Sequence, residues 1–444
     1  MDKINVGILG ATKGYGYTVL TQIKQSKEMN LRSISSRSFE RCRETLLRAG
    51  YENDRIIDCK TIEDINNTNE NDILITTDSE LLLETGITSF IECTGSVELS
   101  ANLSEIAINK GINVYMVSKE TDSVCGPYLN NLAKEKGVVY TLVNGDQPKN
   151  AIDLYNWGLD NGFEIVTIGK SSEYDFVWNR DNGDITYTDG SNRYENMKEM
   201  GEHWKYTGEE TLLKRSELLS EYINPISADL CEMNLVSNIT GFLPSDKHLN
   251  YPVLKVNELA DVLIPKKDGG ILNEEKVVDV FYQLREEEEA SFGGGEFIMI
   301  KLVDEEVAET LKSKGHLVSS NNKYLCVYLP YHIMGLETPR TVLLGDKYGL
   351  GSSENCRQNS IMIAVAKDNT EKGTTLQVGG HHHSIEGFTP ALVPASEGNN
   401  YAPFYLLNNM ILKNNIKKGE AVTLNDVDLE ALNSYRMYKE GLEY

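Results

Sequence analysis

Residues 6–20, VGILGATKGYGYTVL, place an apolar run directly before a turn that contains Gly10, Gly14 and Gly16. The run predicts a buried strand, and the residues after the turn predict a helix. Because glycine has no Cβ, an anion can approach the backbone N–H groups of the turn and the positive end of the helix dipole. The stretch therefore predicts a diphosphate site of a dinucleotide, and the alternative is a tight turn without a ligand.

Apolar stretches alternate with helical ones up to about residue 150. Helices are predicted over 38–49 and 98–111 and near 128–136. The strand candidates are INVGILG, LRSISS, DILITT, SFIECTG, INVYMVS and VVYTLV. Strands and helices in alternation are typical of a parallel sheet covered on both faces, so we predict an α/β fold with an N-terminal Rossmann sheet.

The end of the second strand indicates which dinucleotide would bind. An acidic residue there is typical of NAD binding, but this strand ends Ile34-Ser35-Ser36-Arg37. Hydroxyls and a guanidinium suit a 2′-phosphate, so NADP is predicted and NAD is less favoured. The residues predicted to bind the cofactor are Gly10, Thr12, Lys13, Gly14, Tyr15, Ser36, Arg37, Thr94, Gly95 and Ser118.

The glycine spacing also imitates the turn of short-chain dehydrogenases, which need a Tyr-x-x-x-Lys pair. The match here, Tyr251 and Lys255, encloses Pro252 and is distant from the predicted sheet in sequence. We interpret it as a coincidence.

The remaining chain changes in character. A polar stretch over 171–214 is interpreted as a long excursion or lid, because structureless loops of this length are uncommon unless they are functional. A helix is predicted to end near Gly241, and residues 270–345 are predicted to be rich in strands.

Composition limits the class of protein. With 444 residues, two or three domains are expected. The 43 basic against 67 acidic residues give a net charge of −24, which disfavours nucleic acid as a partner. The seven cysteines are scattered without a CxxC pair, and no apolar run reaches 18 residues. We therefore expect reduced thiols, no membrane association and, since the start lacks the features of a signal peptide, a cytoplasmic location.

Nine motifs in order resemble the homoserine-dehydrogenase-like oxidoreductases with a C-terminal SAF domain, a family that includes the deoxyxylulose-phosphate-reductoisomerase-like enzyme of some bacteria. The motifs are FIECTGS, NVYMVSKETDSVCGPYL, VVYTLVNGDQP, GFEIVTIGK, CEMNLVSNITGF, GGGEF, YLPYHIMGLETP, AVAKDN and IKKGEAVTLNDVD. The resemblance implies a Rossmann domain over 1–148, an α+β catalytic domain over 149–384 and a small β-rich SAF (β-clip) module over 385–444. It also implies hydride transfer with a small polyhydroxylated substrate, sugar-derived and in some members phosphorylated.

Two departures from this family indicate a changed substrate or reaction. Reductoisomerase-like members carry Asp-Gly-Thr-Lys-Ser where this chain reads Pro225-Ile226-Ser227-Ala228-Asp229, and the segment Ser118-Lys119-Glu120 is closer to homoserine dehydrogenases. The leading hypothesis is an NADP-dependent oxidoreductase of a sugar-derived or hydroxy-acid substrate. The alternatives are a reductoisomerase of the deoxyxylulose-phosphate type and a non-catalytic, cofactor-binding regulatory protein.

Four residues are the catalytic candidates: Lys119, Lys170, Glu232 and His332. Lys119 follows an apolar strand at the carboxyl edge of the predicted sheet, where a lysine can exchange a proton with an alkoxide. Lys170 ends the strand of GFEIVTIGK and is expected to orient an acidic or phosphorylated substrate.

Neither metal nor macromolecular partners are indicated. In the run His381-His382-His383 only alternate residues of a strand could face one ion, and no third ligand is placed by the sequence, so no metal site is predicted. The expected partners are a small-molecule substrate and further copies of the chain in a homo-oligomer.

Overall fold

A computed structural model of the chain describes residues 3–188, 192–221, 223–353, 355–380 and 382–444. The strands are β1 Ile4–Leu9, β2 Met29–Ser35, β3 Ile56–Asp58, β4 Ile73–Thr76, β5 Ser89–Glu92, β6 Asn113–Met116, β7 Tyr140–Leu142, β8 Ile165–Ser171, β9 Phe176–Trp178, β10 Ile185–Tyr187, β11 Asn192–Tyr194, β12 Leu243–Pro244, β13 Val253–Leu254, β14 Val277–Arg285, β15 Glu296–Lys301, β16 Leu317–Val318, β17 Tyr324–Leu329, β18 Ser360–Ala366, β19 Val378–Gly379, β20 Ser384–Ile385 and β21 Phe388–Pro394.

The helices alternate with these strands in the first third of the chain and are more widely spaced afterwards. They are α1 Gly14–Gln25, α2 Phe39–Arg48, α3 Ile62–Asn66, α4 Ser79–Leu82, α5 Val97–Asn109, α6 Lys119–Lys136, α7 Gln147–Asp160, α8 Glu209–Leu218, α9 Ser227–Thr240, α10 Leu259–Val262, α11 Glu305–Ser313, α12 Thr338–Tyr348, α13 Ala395–Gly398 and α14 Asn433–Gly441. None of the helices in the described ranges combines the length and the apolar character needed to cross a bilayer.

The chain divides into two compact units. The first contains Met1–Lys149, Ile333–Gln358 and Asp428–Tyr444, and the second contains Asn150–His332 and Asn359–Val427. The predicted domain bounds, 1–148, 149–384 and 385–444, divide the chain in sequence order and stay a prediction. In the structure, the two later segments Ile333–Gln358 and Asp428–Tyr444 belong to the first unit.

A parallel sheet of seven strands forms the first unit, in the order β3-β4-β2-β1-β5-β6-β7. The apolar side chains of β1 are buried between the helices, as an all-parallel sheet requires. The strand order reverses at β1, which lies between β2 and β5. The predicted α/β Rossmann fold is confirmed, and ligands of such sheets bind at the carboxyl ends of the strands beside this reversal.

The two late segments pack onto this sheet and its helices. Tyr115 of β6 donates a hydrogen bond to the carbonyl of Val342 in α12, at 3.2 Å. At the end of the chain, the Arg436 guanidinium of α14 lies 2.7 Å from a carboxylate oxygen of Glu105 in α5. Both contacts join residues more than 200 positions apart, which no local sequence pattern predicts.

A mixed sheet of ten strands forms the second unit, in the order β11-β10-β9-β14-β8-β15-β17-β16, with β12 and β13 also paired to β14. The predicted strand of GFEIVTIGK is observed as β8. Helix α9 ends at Thr240, and its C-cap Gly241 has a φ of +78°, which matches the predicted glycine stop. The predicted mixed catalytic domain is therefore confirmed in its fold class.

The polar stretch over 171–214, interpreted as a long excursion or lid, is not a structureless loop over its described residues. Its residues form the three strands β9, β10 and β11 at one end of the mixed sheet, and α8 begins at Glu209. Phe176 and Tyr187, on paired strands, have ring centroids 5.0 Å apart. The aromatic residues of this stretch therefore form a local core, although most of its residues are polar.

The tail also contributes β structure to the second unit. Strands β18 and β21 pair antiparallel over seven residues, and β19 and β20 form a short hairpin. Residues from Asp428 onward belong to the first unit. The similarity of the tail to a SAF module stays a prediction.

Candidate functional site

In the first unit, the turn after β1 requires glycine at two positions. Gly10 has a φ of +86°, and a Cβ there would lie 2.7 Å from the carbonyl oxygen of Cys93, which follows β5. A Cβ on Gly16 would lie 2.4 Å from the carbonyl oxygen of Gly10. These approaches are closer than any side chain permits, so both glycines serve the packing of the turn against β5 and α1.

The start of α1 has the features of an anion site. Gly14 has a φ of +54°, and a Cβ built on it would meet nothing within 4 Å. The N-cap residue is Lys13, whose side chain has no acceptor to cap the helix, and the first turn holds no acidic residue. The first N–H groups of a helix have no partners within it, so this open start fits the diphosphate of a dinucleotide.

An arginine that the sequence analysis missed stabilises this turn. Arg48, the last residue of α2, donates from Nη2 to the carbonyl of Thr12 at 2.9 Å. Its guanidinium also lies 4.0 Å from the ring centroid of Tyr17, a cation–π distance. The only signal in the sequence that could have indicated Arg48 is its position as a basic residue in the last turn of a predicted helix.

At the end of β2 the structure places the residues predicted to recognise a 2′-phosphate. Ser36 donates from its hydroxyl to the carbonyl of Ser38 at 3.1 Å, and Ser38 caps α2 by accepting from the N–H of Arg41. Arg37 is exposed, and its side chain forms no ion pair or hydrogen bond with other residues of the described ranges. Its guanidinium is accessible to a ligand.

Tyr15, predicted to bind the cofactor, uses its hydroxyl within the protein. The hydroxyl donates to the carbonyl of Asn144 at 3.1 Å and lies 3.4 Å from Oγ1 of Thr338. Burial and the nearby Asp146 carboxylate raise the pKa of this phenol well above its usual range. The Tyr15 side chain therefore joins α1 to the segment after β7 and to the first residue of α12.

The other predicted cofactor residues lie after β5 and β6 and are held by a buried carboxylate. Glu92 accepts from the N–H of Thr94 at 2.9 Å, and the hydroxyl of Ser118 accepts from the N–H of Gly95 at 2.7 Å. Glu92 is fully buried, and desolvation raises its pKa. The structure thus brings Thr94, Gly95 and Ser118 together at the carboxyl edge of the sheet, and their role in cofactor binding stays a prediction.

Lys119 begins α6 directly after this edge, in acidic surroundings. The buried Asp122 accepts a hydrogen bond from the Tyr140 hydroxyl at 2.8 Å. Burial and the charges of Glu92, Glu120 and Asp146 raise the pKa of Asp122 to about 8. Sequence reasoning did not select Asp122, because nothing in its neighbourhood along the chain shows that its side chain is buried.

In the second unit, Lys170 at the end of β8 is held by two carboxylates of α9. Its Nζ lies 2.6 Å from Oδ1 of Asp229 and also pairs with Oε2 of Glu232, and all three side chains are 1% exposed. Asp229 and Glu232 are three positions apart, so they share one face of the helix. We call these three residues the Lys170 cluster.

Two hydroxyls complete the surroundings of Asp229. Its Oδ2 accepts from Ser172 at 2.9 Å and from Tyr251 at 3.2 Å. The Tyr251 phenol is buried, and burial followed by the charge of Asp229 raises its pKa well above its usual range. Tyr251 is therefore a neighbour of the Lys170 cluster, while Lys255 lies over the ring of Trp204, 4.8 Å from its centroid.

Of the histidines noted in the sequence, His332 and His382 belong to the second unit. His332 is half-buried, three residues after the end of β17. His381 lies outside the described residues, and Nδ1 of His382 lies 3.8 Å from a carboxylate oxygen of Glu173. The role predicted for His332 and the absence of a predicted metal both stay predictions.

Residues 145–338 match the family model of the catalytic domain of oxidoreductase DRL. The matched segment covers the Lys170 cluster and the mixed sheet. It resembles an oxidoreductase catalytic domain, while the similarity to homoserine dehydrogenases stays a prediction. The chain matches none of the curated proteins with which it was compared.

Among solved structures, the chain is similar to a dehydrogenase from Chromobacterium violaceum, with 16% identity over 40% of this chain and 46% of that one and a TM-score of 0.26. Biliverdin reductase from Synechocystis sp. PCC 6803, solved with biliverdin and NADP+, gives 14% identity over 40% and 48% and a TM-score of 0.26. The WlbA dehydrogenase from Bordetella pertussis, solved with NADH and UDP-GlcNAcA, gives 14% over 40% and 45% and a TM-score of 0.28. The chain thus spans less than half of the length of these structures.

Proposed function

We propose that the chain is an NADP-dependent oxidoreductase that transfers a hydride to or from a small, sugar-derived polyhydroxylated substrate. The observation that carries this proposal is the open, uncapped start of α1 at the reversal of a parallel sheet. The match of residues 145–338 to an oxidoreductase catalytic domain supports it independently.

The residues of the first unit fit each part of the dinucleotide. The N–H groups at Gly14 and Tyr15 would hold the diphosphate, and Ser36 and Arg37 would hold the 2′-phosphate of the adenosine ribose. The backbone after β5, which Glu92 fixes through Thr94, would line the nicotinamide end. When bound, the nicotinamide supplies the site that accepts or donates the hydride.

The proton that accompanies the hydride is assigned to Lys119. Reduction of a carbonyl leaves an alkoxide that takes a proton, and the reverse reaction needs a base. Lys119 stands at the first position of α6, at the carboxyl edge of the sheet where ligands of this fold bind. Lys170, held by Asp229 and Glu232, is assigned to the substrate.

Calorimetric titration of NADPH and NADH tests the proposal, with Arg37→Ala as the informative variant. A charge-assisted bond to the 2′-phosphate contributes about 1.5–3 kcal/mol, so NADPH affinity should fall about tenfold or more while NADH affinity changes little. Arg43→Ala is the matched control, because Arg43 pairs with Asp58 at 2.6 Å. If no nicotinamide dinucleotide binds the wild type, the proposal is wrong; equal losses for both would remove only the preference for NADP.

A further inference from the structure

A short turn of the first unit, formed by residues 333–336, exposes apolar side chains. Ile333, Met334 and Leu336 are 37%, 47% and 45% exposed. The N–H of Leu336 donates to the carbonyl of Ile333 at 3.2 Å, which closes the turn. A single exposed apolar residue is ordinary, but three within four positions concentrate apolar surface at one place, which is typical of binding surfaces. We call the segment 333–336 the Met334 turn.

The backbone of the Met334 turn lies directly against the start of α1. A Cβ on Gly335 would lie 2.6 Å from a ring carbon of Tyr15 and 3.0 Å from a methyl carbon of Val19. Gly335 is buried and has a φ of +83°, so the chain approaches the Tyr15 ring this closely only because the residue is glycine. Met334 also has a positive φ, +44°, and such a residue is held in place by the structure around it.

The segment after β7 holds the turn from a second side. A Cβ on Gly145 would lie 2.7 Å from the backbone nitrogen of Gly335. Thr338, the first residue of α12, donates through its N–H to the carbonyl of Gly335 at 3.2 Å. Its hydroxyl donates to the carbonyl of Asn144, also at 3.2 Å. The Met334 turn therefore lies where the starts of α1 and α12 meet the carboxyl end of β7.

This position is on the nicotinamide side of the proposed cofactor site. In the sheet, β1 separates β2 and its neighbours from β5, β6 and β7. Ser36 and Arg37, assigned to the adenosine 2′-phosphate, follow β2, whereas the Met334 turn contacts the segment after β7. A dinucleotide binds across the reversal of strand order, with its two halves on opposite sides. The exposed apolar side chains therefore stand beside the half that carries the nicotinamide.

We propose that the Met334 turn covers the nicotinamide ring of the bound cofactor, with the side chain of Met334 packed on the ring. This inference rests on the proposed function and adds to it a residue that binds the reacting half of the cofactor. Met334 is the most exposed of the three apolar residues, and covering the ring removes apolar surface of both partners from water. The unbranched, polarisable thioether of methionine adapts well to an aromatic ring. A ring covered in this way is also protected from side reactions with water.

Calorimetric titration of the Met334→Gln variant tests the inference, with NADPH and with adenosine 2′,5′-bisphosphate, which lacks the nicotinamide half. Glutamine keeps the length of the side chain and replaces the thioether with a polar amide. NADPH affinity should fall about fivefold, the size expected when about half of a methionine side chain no longer packs on an apolar partner. The affinity for the bisphosphate should stay unchanged, whereas Arg37→Ala should weaken the binding of both ligands.

Fluorescence of the reduced nicotinamide gives a second readout that does not depend on turnover. Binding of NADPH to the wild type should shift the emission to shorter wavelength, because the ring enters less polar surroundings, and Met334→Gln should reduce this shift. Met334→Leu, which keeps an apolar side chain, should retain most of the affinity and of the shift. Leu350→Ser is the matched control, since Leu350 is 52% exposed in the same unit, lies beyond the far end of α12 and should change neither readout.

Unchanged NADPH affinity and emission in Met334→Gln would overturn the inference. Equal losses for NADPH and the bisphosphate would also overturn it, because they would indicate a general effect on the fold. A smaller oligomer on size-exclusion chromatography, without a change in NADPH binding, would instead assign the exposed turn to a contact with a second copy of the chain. These outcomes leave the proposed function standing, whereas a wild type that binds no nicotinamide dinucleotide would contradict the proposed function itself.

Discussion

Substitution of Asp122 by asparagine should change how the stability of the protein depends on pH. The Asp122 carboxyl is buried, and its neighbours Glu92, Glu120 and Asp146 are also acidic, which together raise its pKa from 3.8 to about 8. An acid with a higher pKa in the folded state binds more protons folded than unfolded between these two values. Its contribution to stability is therefore fully present below about pH 4 and is lost as the pH rises through about 8.

The size of the effect follows from the shift. Each pKa unit corresponds to about 1.4 kcal/mol, so the shift at Asp122 sets an upper bound of about 6 kcal/mol on the stability lost across this range. The asparagine side chain would carry no charge at any pH and would still offer an oxygen to the Tyr140 hydroxyl, which donates to Asp122 at 2.8 Å. The variant should gain several kcal/mol relative to the wild type between pH 5 and pH 9, on the order of half this bound or more.

Urea unfolding followed by circular dichroism at pH 5, 7 and 9 measures this difference. The comparison of Asp122→Asn with the wild type cancels the titration of groups that do not interact with Asp122, including carboxyls such as Glu105, whose lowered pKa gives the opposite slope. Asp54→Asn, at an exposed position, is the control and should give a constant difference. A constant difference for Asp122→Asn, within about 0.5 kcal/mol, would refute the reasoning.

Three further substitutions test other parts of the structure. Gly10→Ala places a Cβ 2.7 Å from the carbonyl oxygen of Cys93 at a φ of +86°, so it should cost about 1–3 kcal/mol in urea unfolding and weaken NADPH binding in calorimetry. Lys119→Ala should lower turnover about a hundredfold or more in steady-state assays while NADPH affinity stays nearly unchanged, since the residue is assigned to proton transfer; unchanged turnover would move that role elsewhere. Lys170→Met leaves two buried carboxylates without their cation and should destabilise the fold by about 3–5 kcal/mol in urea unfolding, whereas Lys214→Met, in an exposed ion pair, should have a much smaller effect.

The sequence predicted the first unit well because its signals are local. In that unit, the strand before Gly10 and the helix over residues 38–49 follow from an apolar run and a capping serine. The stop at Gly241 in the second unit follows in the same way from a glycine with positive φ. These features depend on neighbours within a few positions along the chain. They could therefore be predicted from the sequence without knowledge of tertiary contacts.

The sequence could not predict features that depend on distant contacts. The segment over 171–214 reads as polar, yet its aromatic residues pack between strands, as Phe176 does against Tyr282 at 5.3 Å. Glu92 resembles any acidic residue at a strand end, and only the fold shows that it is fully buried beneath Thr94. Lys170 and Glu232 were selected from the sequence, but their pairing joins residues 62 positions apart.

The different surroundings of the two candidate lysines separate their roles. Loss of the Lys170 proton would leave Asp229 and Glu232 buried and charged without their cation, and an uncompensated buried charge is costly. A residue that cycles a proton during each turnover cannot carry that penalty at every step, so Lys170 is suited to holding the substrate. Lys119 is half-buried and stands at the first position of α6, directly after the carboxyl edge of the parallel sheet. For this reason we propose proton transfer for Lys119 and substrate binding for Lys170.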